Sequence, residues 1–296
     1  MFRLLAALTI ATALAWRGAA KGKLSRSGAA AAFIVGLCAF ACDVPAGVTC
    51  IAFYLLGSAM TKRGAERKRK LEAEYDLAAA RSATQVAANA LPACLALVLA
   101  KVMSGSWSSL DHWDLAQDMR LTAWQVYARV FAVSYWCVCA GDTASSEMGI
   151  LAQEQPRLIT APWRRVAPGV NGAVTWAGLK WAGLAGGLVG AVYVLAKAAV
   201  AVLTASSLAS AQSAGFAVAA CAAIGLAGSM LDSVLGATVQ ATWWDDDAKL
   251  VISDATAAKQ RGLKRMNGVP LLSNDGVNVV AASLVAVGAV LADTQL

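Results

Sequence analysis

The sequence predicts an all-α protein, a polytopic transmembrane helical bundle of about eight spans that forms a single integral membrane domain over residues 1–296. Two observations support this prediction. Of the 296 residues, 58% are hydrophobic and only 15% are charged, and the mean hydropathy is +0.58, whereas a soluble protein has about 45–50% apolar and about 25% charged residues. In addition, apolar segments recur along the whole chain, most of them close to the length of about 20 residues with which a helix crosses a bilayer.

Eight apolar segments follow one another. They lie near residues 2–16, 28–42, 44–60, 83–103, 121–140, 173–198, 214–239 and 276–293. The first three are short for a span. The first is compatible with a retained helix or with a signal peptide, because Arg3 precedes its apolar run and Ala19 and Ala20 follow it. Basic residues next to that cleavage position favour the retained helix.

The loops between these segments differ in charge. The odd-numbered loops hold most of the 25 lysines and arginines, including the basic run at residues 67–70, whereas the even-numbered loops hold few basic residues. By the positive-inside rule the basic loops face the cytosol or its organellar equivalent, so both termini are expected on the opposite side. Loops 61–82, 141–172 and 240–275 then lie on one cytosolic-type face. The expected surroundings are the membrane bilayer, with no nucleic acid partner.

Histidine and cysteine chemistry has little support. The chain has one histidine, His112, and seven cysteines in or beside apolar segments without a Cys-x-x-Cys pair, so a zinc site is not indicated. No lysine precedes serine or threonine, which excludes a Walker A loop, and no Rossmann fingerprint precedes a helix. A nucleotide would therefore be bound in a way specific to membrane proteins.

Four polar clusters enter the apolar segments from the basic face. They are Arg81, Gln85 and Asn89; Asp142, Ser145, Ser146 and Glu147; Ser229, Asp232 and Gln240 with neighbouring glycines; and Asn274 with Asn278. Spacings of three or four residues place side chains on one helical face. A carboxylate such as Asp232 costs about 2.5 kcal/mol or more at mid-bilayer unless it faces a polar cavity or a cation. Capping or interhelical hydrogen bonding is the alternative for each cluster, but four clusters on one side favour a shared site.

These residue types suit a metal ion that also holds phosphates. Asp142, Glu147 and Asp232 offer the oxygen ligands that Mg²⁺ prefers, and phosphoryl transfer needs little beyond positioning and charge stabilisation. Side chains that could neutralise phosphate oxygens are Arg81, Arg164, Arg165 and Lys180. The loop formed by residues 168–172 precedes the sixth segment, and its backbone N–H groups are expected to be free to bind an anion at a helix N-terminus.

Seven pieces of the sequence resemble the transmembrane protein 19 family, whose plant member is phytyl-phosphate kinase. They are residues 24–28 (LSRSG), 58–62 (SAMTK), 81–89 (RSATQVAAN), 141–149 (GDTASSEMG), 165–172 (RVAPGVNG), 232–240 (DSVLGATVQ) and 272–278 (LSNDGVN). The ordered set is specific, although each piece alone is weak. Val170 and Ala173 depart from the family's usual Pro-Gly-Thr-Asn-Gly-Gly loop, and Asp275 stands where an asparagine is usual.

The resemblance implies a nucleotide-dependent lipid-phosphate kinase. Such an enzyme would transfer the terminal phosphate of CTP, by similarity to dolichol and phytol kinases, to phytyl phosphate or a similar isoprenoid monophosphate. The diphosphate would supply tocopherol synthesis, and an organellar membrane such as a plastid envelope suits this role. No general base would be required, because a phosphate monoester is already largely anionic near neutral pH.

Roles for the site residues follow from this assignment. Mg²⁺ would be held by Asp142, Glu147 and Asp232, and CTP is the expected co-substrate. The nucleotide would contact Ser145, Ser146, Arg164, Arg165, Asn171 and Lys180. The acceptor would contact Arg81, Gln85, Asn89, Asn274 and Asn278.

Two other functions stay open. A cytidylyltransferase that makes a CDP-lipid shares nearly every feature, and only product analysis separates it from a kinase. A membrane transporter needs polar residues at both faces of the membrane, and the even-numbered loops show no matching polar cluster. Arg129 and Lys101 lie in or near apolar segments without evident partners.

Overall fold

The computed structural model describes residues 2–66, 80–105, 122–205, 208–248, 250–252, 258 and 260–293. The basic run at 67–70 and His112 lie outside these residues. Within the described residues, eight long helices coincide with the eight predicted apolar segments, so the helical membrane bundle is confirmed. The helices are α1 (Phe2–Ala20), α2 (Arg26–Cys42), α3 (Val44–Lys62), α4 (Ala83–Met103), α5 (Ala123–Gly149), α6 (Trp176–Leu203), α7 (Ala211–Val239) and α8 (Asn274–Asp293).

Five of these helices, α3, α4, α6, α7 and α8, are long and apolar enough to cross a membrane. Helices α1 and α2 are apolar but shorter over their hydrophobic stretches. Helix α5 has 27 residues but carries several polar and charged side chains, and it is not among the five. The predicted count of about eight therefore agrees with the number of long helices, and five of them qualify as spans by length and composition.

Helix α5 lies at the centre of the bundle. It contacts α3, α4, α6, α7 and α8, and residues 132–141 form an unbroken buried run in which Tyr135 and Trp136 are fully enclosed. Polar residues of a membrane protein normally face the bundle interior rather than lipid. Because its neighbours shield it, α5 tolerates a polar composition that a lipid-facing helix could not.

Glycines bring α5, α6 and α7 close together. A Cβ on Gly225 of α7 would lie 2.9 Å from the Ala182 carbonyl oxygen and the Gly186 Cα of α6, and 3.1 Å from the Cys137 carbonyl oxygen of α5. Small residues at such crossings let helix backbones approach closely. Asp232 lies seven residues, or two turns, after Gly225, and therefore faces the same side of α7.

Two small antiparallel sheets, which the sequence analysis did not predict, lie in the basic loops. The strands are β1 (Arg157–Leu158), β2 (Ala161–Arg165) and β3 (Ala173–Val174) in the order β2-β1-β3, and β4 (Thr242–Asp245), β5 (Leu250–Ile252) and β6 (Lys264–Asn267) in the order β5-β4-β6. Arg157 pairs with Val174, and Trp243 pairs with Ile252. An apolar cluster that includes Leu158, Val170, Val251 and Ala237 joins both sheets to the end of α7.

Candidate functional site

A cavity of about 550 Å³ lies at the end of the bundle where the odd-numbered loops meet. Every one of these loops or its adjoining helix ends contributes to the lining. The contributors include Lys23, Lys62, Arg81, Asp142, Glu147, Pro168, Gly172, Asp232, Gln240 and Asn278. The four connections that the charge pattern assigned to one face therefore do meet at one end of the molecule.

Most of the predicted site residues lie in this lining. They are Arg81, Gln85, Asn89, Asp142, Ser145, Ser146, Glu147, Asn171, Asp232, Asn274 and Asn278. The helical spacing explains the result for Gln85 and Asn89, which lie one turn apart in α4, whereas Arg81 precedes the helix. The structure thus brings together polar residues that the sequence separates by nearly 200 positions, although their assigned roles stay predictions.

Arg164, Arg165 and Lys180 are not part of the lining. All three side chains are exposed. Arg164 and Arg165 follow Trp163, which is 81% exposed, on the edge strand β2. Their positions give no support to the predicted contact with nucleotide phosphates, and other basic groups occupy the cavity.

The two carboxylates at the centre of the predicted metal site do meet. Asp142 of α5 and Asp232 of α7 lie within hydrogen-bonding distance of each other. With its side-chain nitrogen turned toward them, Asn278 of α8 donates to Asp232 Oδ2 at 3.0 Å and to the Asn274 carbonyl oxygen at 3.2 Å. Two carboxylates this close both stay ionised only when a cation lies between them. Without a cation they share a proton.

This donor set fits Mg²⁺ in part. Within the described residues, no group of three Asp, Glu, His or Cys side chains is placed to hold a metal, so Glu147 lines the cavity without completing a triad. Mg²⁺ usually takes one or two carboxylates from a protein and fills its octahedron with water and substrate phosphates. The pair formed by Asp142 and Asp232 satisfies that requirement, and a third ligand from Glu147 is not needed.

A backbone bridge fixes the basic side of the cavity. The Arg81 N–H donates to the Lys23 carbonyl oxygen, and the Ser25 N–H donates to the Arg81 carbonyl oxygen, both at 3.1 Å. The segment after α1 therefore pairs in parallel with the residue that precedes α4. Gly28 permits this approach, because a Cβ at that position would collide with the Arg81 carbonyl oxygen.

Lys23 and Lys62 are cavity residues that the sequence analysis counted only as topology charges. Both line the cavity beside Arg81. Lys62 ends the matched piece at 58–62, and Lys23 immediately precedes the matched piece at 24–28. That adjacency was the available signal, but the two lysines belong to different loops and no spacing rule connects them.

In the loop at 168–172 the Asn171 N–H is not free, so the prediction is wrong for that group. The Asn171 N–H donates to Thr242 Oγ1 at 3.2 Å, and the Asn171 side-chain amide donates to the Ala241 carbonyl oxygen at 3.2 Å. Asn267 in turn donates to the Asn171 carbonyl oxygen at 2.8 Å. Asn171 therefore ties this loop to the second sheet.

The N-terminus of α6 is also capped from within the protein. The Gly178 N–H donates to Thr175 Oγ1 at 3.0 Å, and the Ala177 N–H donates to Glu154 Oε1 at 2.9 Å. A carboxylate thus already satisfies one donor at the helix N-terminus that follows the predicted anion loop.

A second buried ionic cluster lies at the opposite end of the bundle. Arg129 of α5 forms an ion pair with Asp43, which lies between α2 and α3, and its Nε donates to Asp43 Oδ2 at 2.6 Å. Their side chains are 6% and 7% exposed. Lys101 lies nearby and, with Asp43, lines a void of only about 10 Å³. This cluster supplies the partner that Arg129 lacked in the sequence analysis, and corrects the expectation that this end has no polar cluster.

Comparisons with known proteins agree on one family. The family described as "Integral membrane protein DUF92" matches residues 9–286. Protein PGR of Arabidopsis thaliana is 33% identical over 284 residues, which cover 96% of this chain and 93% of that protein. An uncharacterized membrane protein of Methanocaldococcus jannaschii is 29% identical over 125 residues, or 42% of each chain. No solved structure matches the chain.

Proposed function

Because the chain belongs to the DUF92 family of integral membrane proteins, we propose that it is a membrane-embedded enzyme, a prenyl-phosphate kinase that uses a nucleotide such as CTP. The observation that carries the proposal is the composition of the cavity. A pair of carboxylates and three basic side chains, Lys23, Lys62 and Arg81, line one space of about 550 Å³. That combination suits a phosphoryl donor, an acceptor phosphate and a divalent cation.

In the proposed reaction an acceptor phosphate oxygen attacks the γ-phosphorus of the nucleotide. A new P–O–P bond forms, the bond to the β-phosphate oxygen breaks, and the nucleoside diphosphate leaves. Bound Mg²⁺ would supply charge neutralisation at the transferring group. Asp142 and Asp232 would hold it, and Asn278 would orient Asp232 through the hydrogen bond at 3.0 Å. The basic side chains would hold the acceptor phosphate. No group in the protein need remove a proton, because a phosphate monoester is already largely anionic near neutral pH.

The position of the cavity suits a lipid acceptor. It opens where helices of the membrane bundle meet the two small sheets, so a prenyl tail would remain among the apolar helices while its phosphate reaches the polar lining. The compartment that the resemblance suggests, an organellar membrane such as a plastid envelope, belongs to this proposal as well.

The test is a transfer assay on the purified protein in detergent, with phytyl monophosphate, Mg²⁺ and γ-labelled CTP. Label in a lipid diphosphate is the expected result. Release of pyrophosphate without labelled lipid would instead identify a cytidylyltransferase, since attack would then occur at the α-phosphorus. Neither product with CTP, UTP or ATP would reject both enzymes and favour a transporter.

A further inference from the structure

Three basic side chains approach one another in the cavity although they come from separate parts of the chain. Lys23 follows α1, Lys62 ends α3 and Arg81 precedes α4. The Lys23 Nζ and the Arg81 Cζ each lie 5.9 Å from the centre of the same ring, that of Tyr54. The charges of Lys62 and Arg81 act on Lys23, and like charges repel, so the arrangement requires a compensating feature.

The backbone supplies part of that compensation. The two hydrogen bonds between residues 23–25 and Arg81, each 3.1 Å long, hold these segments together whatever their side chains carry. Gly57 of α3 makes room for the guanidinium, since a Cβ there would lie 3.0 Å from Arg81 Nη2. The ring of Tyr54 adds a favourable cation–π contact to both cations. The fold thus holds the charges together without neutralising them.

The pKa of Lys23 reflects this repulsion. Burial lowers the pKa of the Lys23 ammonium, and the charges of Lys62, Lys21, Arg81 and Arg17 lower it further. Burial also lowers the pKa of Arg81, whereas the nearby Tyr54 and Glu147 raise it. A dianionic ligand in this position would relieve the repulsion.

We propose that Lys23, Lys62 and Arg81 form a phosphate cradle that binds the phosphate of a phosphorylated lipid and so makes the site selective for a lipid phosphate over the corresponding free alcohol. The proposal rests on the proposed function and adds the groups that recognise the acceptor. A free alcohol would not supply these cations with the phosphate anion, and sites built to pair with a polar group discriminate strongly against an analogue that lacks it.

The chain provides matched controls for this cradle. Lys21 and Arg63 have the same charge as Lys23 and Lys62 and are close to them in the chain, but neither lines the cavity. Substitution of any of the four by glutamine removes one positive charge. A loss confined to Lys23→Gln and Lys62→Gln therefore reports contact with the ligand, whereas an equal loss in all four reports only the long-range field.

The experiment measures binding to the full-length protein in a neutral detergent by calorimetry, without nucleotide. The probes are phytyl monophosphate, phytol, phosphatidic acid and inorganic phosphate. We expect Lys23→Gln and Lys62→Gln to weaken phytyl monophosphate binding by about tenfold or more each, with Lys21→Gln and Arg63→Gln within about twofold of the wild type. Phytol should bind weakly and equally to all variants.

The remaining outcomes are also decisive. An equal loss for phosphatidic acid would support the cradle and widen its ligand to lipid phosphomonoesters, and the same pattern with inorganic phosphate would place recognition in the phosphate alone. Wild-type affinity in both cavity variants, or equal losses in the controls, would overturn the cradle. Because no nucleotide is present, a failed transfer assay with intact, lysine-dependent binding would reject the kinase and leave the cradle standing.

Discussion

Both ends of this helical bundle enclose ionic side chains, but they differ in how the charges are arranged and in the space beside them. The end that encloses Asp43 and Arg129 is called the closed end, and there the two side chains pair with each other next to a void of about 10 Å³. At the open end, Asp142 lies against Asp232, and both lie beside about 550 Å³ of cavity. A void of about 10 Å³ is at the lower limit for a single water molecule, whereas the cavity at the open end is large enough for substrates.

The arrangement of charge separates the two ends further. Opposite charges at the closed end neutralise each other, and a buried pair of this kind holds helices in register. The open end groups acid with acid and base with base. Such grouping is unfavourable without counter-ions, and it becomes favourable when a divalent cation and phosphates bind. The comparison therefore assigns stability to one end and ligand binding to the other, and each assignment is testable.

The largest expected effect is on activity at the open end. Asp142→Asn and Asp232→Asn each remove a negative charge beside a second carboxylate, so we expect transfer to fall by at least about 100-fold while the melting temperature stays the same or rises. The transfer assay and a thermal melt in detergent give the two readings. Full activity in either variant would contradict the assignment of the carboxylates.

The largest effect on stability should come from the closed end. Asp43→Asn retains a good N-cap for α3, where the Asp43 side chain accepts from the Ala46 N–H at 2.7 Å, but it leaves Arg129 buried without its counter-charge. Breaking a buried pair costs about 3–5 kcal/mol, and the folded fraction should keep wild-type specific activity. The measurement is chemical unfolding in detergent.

Arg129→Gln in the same background completes a double-mutant cycle. The double variant should recover part of the loss, because residue 129 then no longer carries a buried charge. A closed-end variant that melts normally but loses activity would show that this end takes part in function, and would bring back the transporter.

A smaller stability effect is expected at the close crossing of α5, α6 and α7. Gly225→Ala places a Cβ against three backbone atoms at 2.9–3.1 Å, and such overpacking costs about 1–3 kcal/mol. Gly215→Ala is the matched control, since it lies on the same helix with nothing within 4 Å of its Cβ. The control should be neutral or slightly stabilising. Equal melting temperatures for the two variants would argue against tight packing at Gly225.

The smallest effect concerns an aspartate of the second sheet, outside both ionic clusters. Asp245 of β4 accepts from the Asp247 and Ala248 N–H groups at 3.0 and 3.1 Å and pairs with Arg261. The Ala248 hydrogen bond, the charge of Arg261 and the Asp247 hydrogen bond together hold its pKa below the usual range, although burial opposes them. Its contribution is therefore present above the unfolded-state pKa of about 3.9 and is lost as the pH falls through the lower folded-state value.

The check is the difference in melting temperature between the wild type and Asp245→Asn. It should be small at pH 7 and should shrink toward zero at the most acidic pH at which the protein stays folded. A difference that grew with acidification would have the wrong sign.

Local features of the sequence predicted the helices and much of the open end. Hydropathy located the eight helices because each apolar run is continuous, and the spacing of Gln85 and Asn89 placed them on one face of α4 because helical periodicity is local. The charge of the loops placed their ends together. None of these predictions depended on knowing which distant residue meets which.

The features that the sequence did not predict are those that depend on distant partners. Asp43 and Arg129 are 86 residues apart, and no periodicity connects them. The strands in the basic loops have two to five residues, too few for an alternating pattern to stand out. Glu154 caps a helix that begins more than 20 residues later. The Asn171 N–H donates to Thr242, 71 residues away, which is why the prediction for that group failed.

The cavity lining runs from Lys23 to Asn278, and this has a consequence for biosynthesis. A chain emerging from the ribosome makes Asp232 well before α8 is complete, so α7 must enter the membrane with a carboxylate that has not yet met the amide of Asn278. The hydrogen bonds between the backbone segments of Lys23 and Arg81 likewise form only after α3 has been inserted. Helix α8 therefore completes the site, and a translation product that stops before α8 lacks the amide of Asn278 that contacts Asp232.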